Sequence, residues 1–273
     1  MKKKFQGKIV VITGASRGIG LAIAQALSLE GAVVYDISRT IVPHDEIKKS
    51  YSADVNDYHK ISQILEEIKS TEEKIDVFIN NAGFGIAGAI EDAKKENIYK
   101  QVETNLSAVI ALSGLAIKYL KETKGRLVNI SSVGGIIPLP YQSAYSATKA
   151  GVESFSRSLA NEVRDYGIKV ITILPGDTKT GFTSARVVDK PSDETLQKNV
   201  DKTLAKIEKD EQTGMSAESV AKVVVKALKK KRPPLRVTVG VVYKILVFLP
   251  RLVSTKVVNI IVGKLYCKKA KDK

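Results

Sequence analysis

The stretch that decides the fold is Ile9-Val-Val-Ile-Thr13-Gly14-Ala15-Ser16-Arg17-Gly18-Ile19-Gly20. Its first five residues are all β-branched, which favours a buried strand, and the glycine-rich loop after them runs into a helical pattern. Glycines at such a turn let the backbone approach a pyrophosphate, and the free amides at the start of the helix point at it. Glycine loops also occur in ordinary tight turns, but this position between a strand and a helix is typical of a dinucleotide-binding βαβ unit.

Beyond this unit, short β-rich runs alternate with helical stretches. Strands are predicted over 8–13, 33–38, 77–80, 125–130 and 169–174, and helices over 19–29, 58–69, 105–121 and 147–166. This alternation is typical of a parallel sheet covered by helices on both faces. The length of 273 residues fits one large domain better than two small ones. We therefore predict an α/β fold with a doubly wound parallel sheet, the Rossmann fold, over residues 1–240.

The last third of the chain is less regular. Residues 178–213 form a polar stretch that is longer than most connections, and long connections are often functional. A final strand is predicted over 235–240, followed by a basic amphipathic extension over 241–273 with two apolar segments, 241–249 and 255–266.

Composition excludes several classes of protein. Cys267 is the only cysteine, so no disulfide can form within the chain, and with only His44 and His59 beside it no Cys/His metal site is expected. The apolar run after the basic start is too short for a signal peptide, and no run reaches the roughly 18 apolar residues of a membrane span. We expect a cytoplasmic protein that binds no metal.

The net charge of +15 is concentrated at one end of the chain. Residues 226–273 carry 14 Lys and Arg against the single Asp272, whereas residues 1–225 are nearly balanced. A basic region so confined argues against nucleic-acid binding by the whole protein. It leaves two interpretations of the extension: its helices contact an acidic membrane surface peripherally, or they pack on the body or a second subunit while the lysines keep them soluble.

Cofactor choice is usually made at the end of the second strand. Here that strand ends in Ser38 and Arg39. Arg39 and Arg17 of the glycine loop can together offer paired N–H donors to a 2′-phosphate. The alternative is that Asp36 binds a free ribose diol. We predict that NADP(H) is preferred, with NAD(H) possible.

A catalytic set is predicted around Tyr145. Lys149 follows it by four residues, which places both side chains on one face of a helix. A nearby positive charge lowers the pKa of a phenol, so Lys149 is expected to activate Tyr145 as acid and base. Ser132, just beyond a predicted strand, is expected to hydrogen-bond the substrate oxygen.

With these motifs the sequence resembles the short-chain dehydrogenase/reductase family, in its simple single-domain branch, over about residues 5–240. The pieces that match in order are the glycine loop, Asp54-Val55, Asn80-Asn81-Ala82-Gly83, Asn105, Ser132, Tyr145, Lys149 and Pro175-Gly176. Such a set is highly specific. It implies hydride transfer between NADP(H) and a carbonyl or alcohol substrate. The alternative is a sensor or scaffold that binds NADP(H) without chemistry.

The resemblance also implies a role for each matching position. Asn105 would support a water that links Lys149 to solvent, and Lys149 would also bind the nicotinamide ribose. The implied cofactor-binding residues are Gly14, Ser16, Arg17, Gly18, Ile19, Gly20, Ser38, Arg39, Asp54, Val55, Asn81, Ala82, Gly83, Tyr145, Lys149, Pro175, Gly176, Thr178 and Thr180. Family members commonly pair through two long helices, here near 105–121 and 147–165, so a homodimer is expected.

Two features depart from the family pattern. Thr178 stands where an aliphatic residue is usual, and the chain continues past the point where many tetrameric members end, which puts the usual tetramer in doubt. A largely apolar pocket is predicted from Phe84, Ile136 to Leu139, Tyr141, Gln142 and Phe182. It fits a lipid-like, steroid-like or aromatic carbonyl, but the same residues also fit an ordinary core.

Overall fold

Seven parallel strands form the central sheet in a computed structural model that describes residues 3–267. They are β1 (Ile9–Thr13), β2 (Val33–Ser38), β3 (Lys49–Ser52), β4 (Val77–Asn80), β5 (Arg126–Ile130), β6 (Lys169–Leu174) and β7 (Arg236–Thr238), in the spatial order β7-β6-β5-β4-β1-β2-β3. The chain reverses direction across the sheet between β1 and β4. In open parallel sheets, ligands bind beyond the carboxyl ends of the strands at this switch point.

Helices cover both faces of the sheet. They are α1 (Gly18–Leu29), α2 (Tyr58–Glu72), α3 (Lys95–Val102), α4 (Ala108–Thr123), α5 (Ser143–Glu162), α6 (Glu194–Gln212), α7 (Ala217–Leu228), α8 (Val241–Phe248) and α9 (Thr255–Tyr266). One buried cluster joins α1 and α7 to the sheet, and a second joins α2, α4 and α5 to its other face. Burial on both faces explains why β1 and β4 are buried along their whole length. The predicted doubly wound sheet is confirmed.

Several elements differ from the sequence prediction. The stretch 178–213 is not a continuous polar connection, because α6 occupies Glu194–Gln212. Asp193 caps this helix by accepting a 2.6 Å hydrogen bond from the Leu196 amide. Val200, Leu204 and Ile207 form the buried apolar stripe of this helix. The many charged residues around them obscure the helical periodicity in the sequence. The sequence prediction also lacked β3, α3 and α7.

Two boundary differences matter for the site. Helix α5 begins at Ser143 rather than 147, so Tyr145 lies in its first turn. The predicted helix at 105–121 begins as a π-helical turn over Glu103–Ser107, and only then continues as α4. Asn105 lies in that turn, and π-turns recur at functional sites.

Two short strand pairs lie outside the main sheet. Ile86–Gly88 pairs with Val187–Asp189, and Thr178–Lys179 pairs with Met215–Ser216, all in parallel. The extension folds into α8 and α9 as its apolar segments predicted, while its last residues, 268–273, lie outside the described part of the chain. Within residues 3–267 no helix is long and apolar enough to span a membrane. The domain boundary at residue 240 stays a prediction.

Candidate active site

The glycines of the loop between β1 and α1 leave its backbone open where side chains would block it. Gly14 and Gly18 have φ values of 74° and 61°, in the left-handed region that favours glycine. A Cβ at Gly20 would lie 2.2 Å from the Gly14 carbonyl oxygen, so no larger residue fits there. Arg17 occupies the N-cap position before α1, and its side chain makes no capping hydrogen bond. Its first amides are therefore open to a pyrophosphate, and the loop fits the cofactor that the motif implies.

The segment after β4 supports this loop from the other side. The Asn81 side-chain amide donates 3.0 Å hydrogen bonds to the carbonyl oxygens of both Thr13 and Gly14. In return, Thr13 Oγ1 accepts from the backbone amides of Asn81 at 3.0 Å and Ala82 at 3.1 Å. The predicted cofactor residues on β1 and β4 are thus one hydrogen-bonded unit at the switch point.

Asp36 links the glycine loop to β2 in the protein interior. Its side chain is fully buried, and Oδ1 accepts 2.8 Å hydrogen bonds from the Ala15 amide and the Ser38 hydroxyl. Burial raises the pKa of Asp36, and these two hydrogen bonds oppose the rise. The carboxylate fastens the glycine loop to β2. By contrast, the side chains of Arg17 and Arg39 are exposed to solvent.

The residues after β3 and β6 complete the cofactor side. Val55 is buried beside the half-buried Asp54, whose Oδ1 accepts a 2.9 Å hydrogen bond from the Asn56 amide. After β6, the Pro175 carbonyl accepts from the Val133 amide at 3.0 Å. A Cβ at Gly18 would lie 3.7 Å from Thr180 Cβ, so this second loop returns to the glycine loop.

Ser132 and Tyr145 converge at Gly134. The Gly134 amide donates a 3.0 Å hydrogen bond to Ser132 Oγ. A Cβ at Gly134 would lie 3.4 Å from Ser132 Oγ and 3.7 Å from Tyr145 Cε1. The loop after β5 and the first turn of α5 therefore bring the hydroxyl and the phenol to one point, as the sequence spacing predicted.

Lys149 and Asn105 converge at Gly83. A Cβ at Gly83 would lie 3.6 Å from Lys149 Nζ and 3.1 Å from Asn105 Oδ1. Lys149 is buried and donates to the Ile130 carbonyl oxygen at 3.1 Å. The Asn105 side chain holds the backbone of Phe84, accepting from its amide at 3.0 Å and donating to its carbonyl at 2.8 Å.

Burial dominates the electrostatics of this set. The loss of water around the phenol raises the pKa of Tyr145 to about 12, although a hydrogen bond with Ser132 opposes the rise. Burial also lowers the pKa of Lys149 to about 8. Lys149 Nζ lies 5.8 Å from the Tyr145 ring centroid and donates to the Ile130 carbonyl oxygen, so burial rather than Lys149 gives the Tyr145 pKa its direction. The activation of Tyr145 by Lys149 stays a prediction. With this raised pKa the Tyr145 phenol carries its proton at neutral pH, the form that a proton donor needs.

The substrate side is closed by residues that the sequence interpretation had not assigned to the site. The predicted pocket residue Phe182 packs on Tyr145 with ring centroids 5.9 Å apart. Behind it, the buried Arg186 forms an ion pair with Glu211, which also accepts a 2.5 Å hydrogen bond from Thr183. Arg186 and Glu211 both lie in the stretch 178–213, which was predicted to be irregular. They meet because α6 forms within this stretch and carries Glu211 to Arg186. No spacing signal in the sequence marks that pairing.

Comparisons with known proteins agree with this geometry. A family model described as short chain dehydrogenase matches residues 8–191. A 3-ketodihydrosphingosine reductase of Bacteroides thetaiotaomicron is 38% identical over 246 residues, covering 88% of this chain and 91% of that protein. A 3-oxoacyl-(acyl-carrier-protein) reductase of Haemophilus influenzae is 38% identical over 186 residues, covering 65% and 77%. The crystal structure of a short-chain dehydrogenase from Streptomyces avermitilis matches with a TM-score of 0.80 and 28% identity, covering 94% and 96%.

Proposed function

The chain belongs to the short-chain dehydrogenase family of oxidoreductases, and from that premise we propose that it reduces the ketone at carbon 3 of a long-chain lipid with NADPH. The observation that carries the reaction type is the convergence of Ser132, Tyr145 and Lys149 at the switch point. The two relatives support the position of the ketone, because a 3-keto or 3-oxo group is what their names share.

Each residue of the catalytic set has one task in the proposed reaction. When bound, NADPH would supply the hydride for the carbonyl carbon. Tyr145 would donate its phenolic proton to the carbonyl oxygen, so that the product is a secondary alcohol. Ser132 holds that oxygen by a hydrogen bond. Lys149 would hold the cofactor, and a water supported by Asn105 would link Lys149 to solvent, so that the proton given up by Tyr145 is replaced. A raised pKa on Tyr145 suits the donor role in reduction.

NADPH is the proposed cofactor because the strand tip offers cations and no free acid. Arg17 and Arg39 are both exposed next to the glycine loop, where a 2′-phosphate can pair with them. Asp36, the alternative ligand for a ribose diol, is buried and already accepts two hydrogen bonds.

An apolar chain is proposed for the substrate because the pocket side is lined by large apolar groups. Leu139 and Tyr141 pack with Ala87, Ala89 and the buried stripe of α6. Ile136 packs with Val133 and Leu174 directly behind the catalytic loop. Close to Tyr145, the buried Gln142 amide nitrogen has no partner among residues 3–267, so it is free to donate to a polar head group.

The proposed function is tested by substrate profiling. NADPH oxidation is followed with 3-ketodihydrosphingosine, a long-chain 3-oxoacyl thioester, a short 3-oxoacyl thioester and a steroid ketone. We expect turnover with long-chain 3-keto substrates and at least tenfold lower kcat/KM for the short one. Tyr145→Phe serves as the inactive control. Cofactor binding without turnover of any ketone would instead support the sensor alternative.

The assembly is proposed to be a cytoplasmic homodimer that contacts a membrane surface through α8 and α9. Along the outer side of α4, Ile110 is exposed and Gly114 has open space at its Cβ position. A face with small and apolar residues suits helix pairing. Light scattering on the purified chain measures the subunit number, and Ile110→Glu is expected to give a monomer.

A further inference from the structure

Helices α8 and α9 are fastened to the body at a few points. Tyr243 donates a 2.6 Å hydrogen bond to Asp177, and Tyr266 donates a 3.3 Å hydrogen bond to Asp210 on α6. Val247 and Val262 are the buried residues of the two helices. These contacts orient both helices, so each has a defined inner and outer side.

Large apolar side chains are exposed along the whole length of this segment. Twelve large apolar side chains of this segment are more than a third exposed: Val241, Val242, Ile245, Leu246, Phe248, Leu249, Leu252, Val253, Val257, Ile260, Ile261 and Leu265. The exposed fraction reaches 73% at Val241 and 67% at Leu252. Single exposed apolar residues are ordinary, but twelve of them in one segment are unusual, and exposed apolar patches mark interaction sites. We call these twelve residues the apolar face.

The charges around the apolar face have one sign. Lys244, Arg251, Lys256 and Lys264 lie within the segment, and residues 239–267 contain no Asp or Glu. None of these four cations forms an ion pair in the part of the chain that the structure describes. An apolar face with unpaired cations beside it is complementary to acidic lipid, whose headgroups attract the cations while the acyl region accepts the side chains.

We propose that the apolar face docks on the surface of an acidic lipid bilayer without crossing it. A second copy of this chain fits less well, because a twofold contact would oppose the same lysines to each other with no acid between them. Helices α8 and α9 have 8 and 12 residues, and each buries one residue, Val247 or Val262, while most of its apolar side chains are exposed. That arrangement suits an orientation in the plane of the headgroups.

Docking would place the substrate side of the site at the lipid surface. Tyr266 packs in the cluster that contains Leu139 and Tyr141, and Tyr243 packs with Ile136. Leu139, Tyr141 and Ile136 are among the residues predicted to line the pocket. The protein would therefore take its long-chain ketone directly from the membrane, a step that rests on the proposed function.

The experiment is co-sedimentation of the full chain with vesicles, without cofactor or substrate. Vesicles of phosphatidylcholine alone are compared with vesicles containing 30% phosphatidylglycerol. One variant carries Phe248→Ser, Leu252→Ser and Ile261→Ser, and another carries Gln at Lys244, Arg251, Lys256 and Lys264. The matched controls are Leu29→Ser, which is 73% exposed at the amino-end side of the sheet, and Gln at Lys60, Lys95, Lys100 and Lys121.

We expect binding to the acidic vesicles that weakens with salt, and at least a tenfold lower partition coefficient for each tail variant but not for its control. A chain that stays in the supernatant at low salt, or tail variants that bind like their controls, would overturn the proposal. Because the assay contains no ketone, its failure leaves the proposed reaction standing. Conversely, binding without turnover would reject the reaction and keep the docking surface.

Discussion

Tyr243 of α8 donates a 2.6 Å hydrogen bond to Asp177, which lies between Gly176 and Thr178, two of the predicted cofactor-binding residues. Its ring also covers Gly176 so closely that a Cβ there would lie 2.4 Å from ring atoms. The backbone carbonyl oxygen of Asp177 accepts a 2.9 Å hydrogen bond from the Met215 amide. The C-terminal extension therefore supports the cofactor loop directly, rather than forming an appendage.

Tyr243→Phe is expected to weaken NADPH binding by roughly three- to tenfold, because Asp177 loses a hydrogen bond worth about 1 kcal/mol that holds the cofactor loop in place. The measurement is a fluorescence titration of the cofactor together with thermal unfolding. Tyr266→Phe is the matched control, since it removes the other tyrosine-to-aspartate hydrogen bond but touches α6 instead of the cofactor loop. Equal cofactor affinities in the two variants would contradict the role given to Tyr243.

Tyr145→Phe should abolish turnover and leave cofactor binding within about twofold. The ring still packs on Phe182, but no proton donor remains. Lys149→Ala should weaken both turnover and binding, because its ammonium serves the phenol and the cofactor. Single-turnover kinetics with NADPH separates the two effects. Substantial reduction by the Tyr145→Phe protein would mean that another group is the acid.

Much of this site could be predicted from sequence because local rules govern its parts. β-Branched runs and the glycine loop define β1 and α1, and the four-residue spacing places Tyr145 and Lys149 on one face of α5. What could not be predicted depends on long-range packing. Glu211 on α6 meets Arg186 only in the folded chain, and the pKa of Tyr145 rises because burial outweighs its hydrogen bond with Ser132.

Cofactor preference is expected to depend on the two exposed arginines. Arg17→Ala with Arg39→Ala should weaken NADPH binding by about ten- to a hundredfold and leave NADH binding nearly unchanged, since only NADPH has the 2′-phosphate. Asp36→Asn should weaken the binding of NADPH and NADH alike, because it weakens the hydrogen bonds by which Asp36 holds Ala15 of the glycine loop and Ser38 of β2. A selective loss of NADH binding in Asp36→Asn would instead identify Asp36 as a ribose ligand.

The rate of reduction is expected to fall as the pH rises through about 8. Burial lowers the pKa of Lys149 to about 8, so its charged form is present below that pH and is lost above it. The phenol of Tyr145, with its pKa raised to about 12, stays protonated over the same range and should cause no inflection there. The measurement is kcat/KM for the ketone between pH 6 and pH 10. Lys149→Arg keeps its charge throughout, so its residual activity should show no fall near pH 8. An identical fall in Lys149→Arg would assign the titration to a group other than Lys149.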